Sequence, residues 1–186
     1  MVEKILSEIS ENFRNLKQSS SLIEEASKMI IESLNNGNKI MFCGNGGSAA
    51  DSQHLAAELI GRYKKNRSPL AAISLTTDTS TITAIANDFN FDEIFSRQIE
   101  GFGKKGDVLY AISTSGNSSN IVKAISAARK KDIKIIGITG RDAGKLSNIC
   151  DLIIKAPANT PDRIQEMHIA IGQIICEIIE NNFFPN

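Results

Sequence analysis

The chain has no excess charge of either sign. Its 186 residues include 21 lysines and arginines against 21 aspartates and glutamates, and its isoelectric point falls near 6.7. That balance removes the bulk electrostatic case for nucleic acid or an anionic membrane surface as the main partner. Nor does any apolar run approach the roughly 20 residues that a membrane-spanning helix needs. Met1-Val2-Glu3-Lys4-Ile5-Leu6 is amphipathic and acidic, without the apolar core of a signal peptide. Cysteine is scarce: Cys43, Cys150 and Cys176 are odd in number, far apart and set in apolar segments. A disulfide framework or thiolate zinc site is therefore not expected, and a reducing cytoplasm is. Histidine is scarcer still, so any histidine-dependent step must use His54 or His168. No repeat, low-complexity stretch or long linker divides the chain. Its length suits one domain, residues 1–186, with a core large enough to fold without disulfides or a structural metal.

What is present alternates between two hydrophobic periods. From Glu3 to Asn35, Ile5, Ile9, Phe13, Leu16, Ile23, Ala26, Ile30 and Leu34 recur at steps of three, four or seven. This predicts a long amphipathic helix over residues 1–36, interrupted around Ser19-Ser20-Ser21 and stopped by Asn36-Gly37-Asn38. Short, nearly continuous apolar runs follow at Lys39–Cys43, Leu70–Leu75, Val108–Ile112 and Ile133–Ile138, with a weaker one at Leu152–Ile154. Such runs fit strands buried on both faces of a parallel sheet. Helical stretches separate them at Ala49–Gly61, Thr79–Asn87, Asp92–Phe102, Ile121–Lys131 and Gly144–Ile149. The order predicts an α/β fold: one doubly wound domain with a five-stranded parallel sheet flanked by helices, spanning residues 37–186. Thr160-Pro161-Asp162 opens a last helix, to about Asn181, with a capping residue, a first-turn proline and a first-turn acid. Ile164, Met167, Ile171, Ile174 and Ile178 form one stripe on it, while Ile169 and Cys176 lie nearly opposite. A helix apolar almost all round is expected to be buried. The two terminal helices carry more apolar surface than the sheet needs, which predicts a homo-oligomer packed through them, the alternative being a monomer in which both simply cover the sheet.

Two loops carry the functional signal. After the first strand comes Cys43-Gly44-Asn45-Gly46-Gly47-Ser48-Ala49. Its glycines let backbone N–H groups approach a ligand, Ser48 can cap the next helix, and that helix's positive end favours an anion. Gly44-x-Gly46-x-x-Ala49 also matches the dinucleotide fingerprint. The acid expected about 20 residues on is absent, since Glu58 falls too early and Asp78 too late. A plain tight turn with no ligand is the alternative to anion binding. After the third strand comes Ser113-Thr114-Ser115-Gly116-Asn117-Ser118-Ser119, with five hydroxyls in seven residues. Neutral donors and backbone N–H groups at a helix mouth suit a phosphate that must bind and leave.

Reacting groups must come from nearby. His54 and Glu58 are four apart and share a helix face, with Asp51 one turn before and Arg62 one turn after. The pair can hold a divalent metal, supply a base with its orienting partner, or form an ordinary surface pair. Asn87-Asp88 ends a helix and can meet sugar hydroxyls. Asp162, Gln165 and His168 open the last helix, and Gln173 points about 80° from Gln165. His168 reads equally as a packing residue.

Taken with Ala86-Asn87-Asp88 and Asp162-Arg163-Ile164-Gln165-Glu166-Met167-His168, these loops resemble the sugar isomerase (SIS) superfamily. Within it they are similar to the phosphoheptose isomerases, over essentially the whole chain. The resemblance implies a homotetramer with sites between subunits, whose substrate is a sugar phosphate. It implies phosphate binding by Ser113, Thr114, Ser115 and Ser118, and sugar contacts from Asn45, Gly46, Gly47, Ser48, Asn87 and Asp88. His54, Glu58 and Gln165 match positions associated with zinc and substrate. The fourth metal position, commonly histidine, is Gln173 here, which weakens the zinc expectation and any acid–base role there. The expected activity turns sedoheptulose 7-phosphate into D-glycero-D-manno-heptose 7-phosphate through an enediol(ate). Glu58 would carry the proton, His54 would polarise oxygen, and His168 or Asp162 would help ring opening. The product would feed nucleotide-activated heptose for lipopolysaccharide or capsule. The rival implication is a non-catalytic member, resembling the DnaA initiator-associating protein, or a sugar-phosphate sensor.

Overall fold

The computed structural model describes residues 1–185; Asn186, the last residue of the expected single-domain span, lies outside them. Strands β1 (Ile40–Cys43), β2 (Ala72–Ser74), β3 (Val108–Ser113), β4 (Lys134–Thr139) and β5 (Leu152–Lys155) form one parallel sheet in the spatial order β2-β1-β3-β4-β5. Alternate residues feed two cores. Ile40, Phe42, Tyr110 and Ile112 face one side, and Met41, Cys43, Leu109 and Ala111 the other. Both faces are covered, which explains the unbroken apolar runs.

Helices α1 (Val2–Leu16) and α2 (Ser20–Asn35) are joined by a 3₁₀ turn at Lys17–Ser19, where the serine cluster predicted a break. Only the second is well packed: Ile23, Ala26 and Ile30 are buried, whereas Val2, Ile5, Leu6 and Phe13 on α1 are exposed. Then follow α3 (Gly47–Ile60), α4 (Thr79–Asp88), α5 (Ser96–Phe102), α6 (Ser119–Lys130) and α7 (Pro161–Phe183). No helix among the described residues is long and apolar enough to cross a membrane.

Three expectations need correction. The run at Leu70 does not begin a strand, because its N–H bonds the Leu59 carbonyl at the end of α3 (3.0 Å). Gly144–Asn148 is a 3₁₀ turn rather than an α-helix, entered through left-handed backbone at Ala143. Within the single chain, helix α7 is buried on one side rather than all round: Ile164, Met167, Ile171, Ile175 and Ile179 are buried, but Ile174 is exposed. The row His168, Gly172, Cys176 and Glu180, at steps of four, is buried as well. At Gly172 an added Cβ would collide with the Leu55 side chain, so a bare backbone lets α3 lie close against α7.

Candidate active site

The strand order reverses direction between β1 and β3, which pair from Ile40↔Val108 to Cys43↔Ala111. Ligands of open α/β sheets bind at the carboxyl ends of strands at such a switch point. Both loops singled out above emerge there.

The glycine loop turns earlier than expected. Gly46 takes φ +56, which favours glycine, and it rather than Ser48 is the N-cap of α3. The helix therefore starts at Gly47, and Ser48 is buried in its first turn, its N–H bonded to the Asn45 carbonyl (3.0 Å). Gly47 is exposed, and a Cβ there would strike the Gln165 amide (2.5 Å to Oε1). Gln165 thus reaches from α7 onto the glycine loop. Asn45 spends part of its side chain on a neighbour not anticipated from sequence: its amide and that of Asn120 bond each other reciprocally (2.9 and 2.8 Å).

In the hydroxyl loop, Ser113 Oγ and Ser118 Oγ are 3.1 Å apart, and Ser115 Oγ accepts from the Asn117 N–H (3.2 Å). Ser118 is the N-cap of α6 but makes no side-chain capping bond. Thr114 and Ser115 line a cavity of about 320 Å³ with Arg141 and Asn117. Hydroxyls and the first free N–H groups of α6 can together accept an anion, with the Arg141 guanidinium lining the same cavity.

On α3, His54 Nε2 lies 2.9 Å from Glu58 Oε1, with the imidazole half exposed and the carboxylate largely covered. Asp51 is half-buried. Burial pushes its carboxyl up to about 6 against the opposing pull of His54, and its Oδ2 has no partner. Arg62 has left the helix, which ends at Ile60 with Gly61 as its cap, so it does not extend the His54–Glu58 face. Arg67, not anticipated from the sequence, anchors the end of this helix. The Arg67 guanidinium donates to the carbonyls of Glu58 (2.7 Å) and Leu59 (2.7 Å) and to Glu180 Oε1 (3.0 Å). It satisfies the carbonyl end of α3 with a cation.

Not every candidate joins this site. His168 is 1% exposed, its Nε2 bonds the Thr139 carbonyl (3.0 Å), and its Nδ1 is unpartnered. Burial pushes its pKa down to about 4, against the pull of that hydrogen bond. It is a neutral packing residue at physiological pH, not a group in reach of solvent-borne substrate. Donors round Asp162, the Thr160 hydroxyl first and then the Arg163 N–H and guanidinium, hold its carboxyl down to about 2. So firm a carboxylate is a poor proton donor. Thr160 is the N-cap of α7, but its hydroxyl makes no capping bond to the helix backbone. Asn87 and Asp88 end α4, exposed and bonded to each other (3.0 Å), with no hydrogen bond to either loop among the described residues. Gln173 sits half-buried on α7.

A metal would have to rest on one imidazole (His54), one carboxylate (Glu58) and the neutral amides of Gln165 and Gln173. Catalytic zinc sites use three protein ligands drawn mainly from histidine, cysteine and carboxylate. Among the described residues no group of three such side chains comes together, and the His54 nitrogen nearest Glu58 is engaged with it. The donor set does not fit a resident zinc ion.

The SIS domain family matches residues 5–140. A phosphoheptose isomerase of Rhodospirillum rubrum is 54% identical over 169 residues, which cover 91% of this chain and 90% of that protein. One from Akkermansia muciniphila is 48% identical over 176 residues, 95% of this chain and 93% of that one. The solved structure of a phosphoheptose isomerase from Neisseria gonorrhoeae superposes with a TM-score of 0.92 at 41% identity, covering 97% of each chain.

Proposed function

The chain belongs to the SIS domain family, and from that premise we propose that it is a phosphoheptose isomerase, converting sedoheptulose 7-phosphate to D-glycero-D-manno-heptose 7-phosphate. One observation carries the chemistry: Glu58, bonded to His54 at 2.9 Å, rides on the helix that leaves the glycine loop, one strand from the hydroxyl loop.

The hydroxyls of Ser113, Thr114, Ser115 and Ser118 hold the phosphate, and that remote grip orients the reacting carbons. The Glu58 carboxylate takes a proton from C1 of the open-chain ketose as O2 gains one, giving the enediol, and returns its proton to C2 as the O1 hydroxyl releases one and becomes the aldehyde oxygen. His54 Nε2 keeps the carboxylate aimed, and its other nitrogen, Nδ1, gives the proton to O2 and takes one back from O1. Asn45 and the exposed N–H groups beside Gly46 and Gly47 receive the sugar hydroxyls, with Gln165 closing the loop from above. No step is routed through a metal, because the donor set does not fit one.

We also read the exposed apolar residues of α1, with Ile174 on α7, as a homotetramer interface; an assembled site would take Asn87 and Asp88 from a neighbouring subunit. A reducing cytoplasm suits the three free cysteines, and the product suits nucleotide-activated heptose synthesis for lipopolysaccharide or capsule.

The test is to incubate the purified protein with sedoheptulose 7-phosphate and resolve the aldoheptose 7-phosphate formed. Glu58→Gln should bind substrate and lose roughly 10³-fold in kcat, whereas a chelator should change wild-type turnover less than twofold. Near-normal turnover by Glu58→Gln would remove the mechanism, and a mass corresponding to a monomer would remove the assembly.

A further inference from the structure

Asn45 and Asn120 stand 75 positions apart in sequence, yet their amides close a two-bond ring between the loop after β1 and the first turn of α6. Asn120 is 2% exposed and so sits fixed in the packing; Asn45 is only half-buried. An asparagine amide has two N–H donors and an oxygen with two lone pairs. The pairing uses one donor and one lone pair on each side. Asn45 therefore keeps a donor and an acceptor for a ligand, while its amide plane is set by a neighbour that cannot move. Asn120 follows directly on Ser118 and Ser119, so the residue that aims Asn45 belongs to the same short segment as the hydroxyl cradle.

We propose that Asn120 is a positioning residue that fixes the gap between the glycine loop and the hydroxyl loop, and with it the length of sugar phosphate that spans them. This rests on the isomerase reading above. A phosphate alone needs only the hydroxyl loop and does not sense the gap. A substrate reaching from that loop to Asn45 and Glu58 does, and misplacement by about 1 Å can cost on the order of 100-fold.

The experiment compares full-length wild type with Asn120→Ala and the neutral Asn120→Ser, which can keep one hydrogen bond to Asn45 without placing a charge beside the phosphate. For each, kcat and KM for sedoheptulose 7-phosphate are measured beside the inhibition constant of inorganic phosphate. We expect kcat/KM to fall about 30-fold in Asn120→Ala and less in Asn120→Ser, with phosphate inhibition held within threefold. In an Asn45→Ala background the Asn120→Ala loss should shrink below threefold, because the group acted upon is gone. Three results would overturn the inference: a kcat/KM within twofold of wild type, phosphate inhibition weakened in parallel, or full additivity with Asn45→Ala. A wild type that turns over without competition by phosphate brings down the cradle reading itself, and this inference with it.

Discussion

At one end of the contact between α3 and α7, Glu180 accepts from the N–H groups of Tyr63, Lys64 and Lys65 and from Arg67 Nε, at 2.8–3.1 Å. Both side chains of that ion pair are almost sealed, 1% and 2% exposed. At the other end, on the same row of α7, His168 makes one bond and leaves Nδ1 bare, and Asp51 on α3 leaves Oδ2 bare. One end has every acceptor answered; the other holds polar atoms that folding alone does not satisfy. Buried polar groups cost free energy when unpaired, so the Glu180 end should hold the two helices together more firmly than the His168 end.

Breaking the satisfied end should have the largest effect. Glu180→Ala strands the Arg67 charge and three N–H groups, and should cost about 3–5 kcal/mol, read by urea unfolding. An unchanged midpoint would mean that the two ends do not differ. Next, His168 is held near pKa 4 when folded against an ordinary 6.5. The unfolded chain binds the extra proton between those values, so stability is fully present above about 6.5 and is lost as pH falls toward 4. His168→Gln, which keeps a donor for the Thr139 carbonyl, should abolish up to about 3 kcal/mol of that acid loss. Thermal unfolding across pH 4–7 checks it. Asp51 has the opposite sign. Its carboxyl is raised to about 6 from 3.8, so the folded chain binds the extra proton and stability declines as pH rises through that window. Asp51→Asn should stabilise by roughly 1 kcal/mol at pH 7 and negligibly at pH 4, a figure reduced because the side chain half faces water. Equal gains at both pH values would discard the burial account.

The architecture was legible because strands buried on both faces write themselves as short unbroken apolar runs, and all five appear where such runs stand. The chemistry-bearing loops were legible for a related reason: glycines and hydroxyls at strand-to-helix junctions have few other uses. What escaped was set by dihedral angle or by distance along the chain. The φ of Gly46 moves the start of α3 forward and makes Ser48 a buried helical residue rather than a cap. Asn45 finds its partner 75 residues away and Arg67 finds Glu180 at 113, and no local pattern encodes either. A signal for the second was present, since an acid in register with the buried row of α7 demands a cation. The exposure of Ile174 within one chain was not legible, because an all-round apolar helix does not say which side meets its own sheet.

The contact at Gly172 carries a consequence for how such a protein can diverge. The Leu55 methyls occupy the room that any larger residue would need there, so even alanine would force the buried Leu55, next to His54 on α3, to repack. A core position that touches no ligand thereby bears on the aim of the reacting groups. Change is easier on the outer surface of α3 than along the seam beneath it.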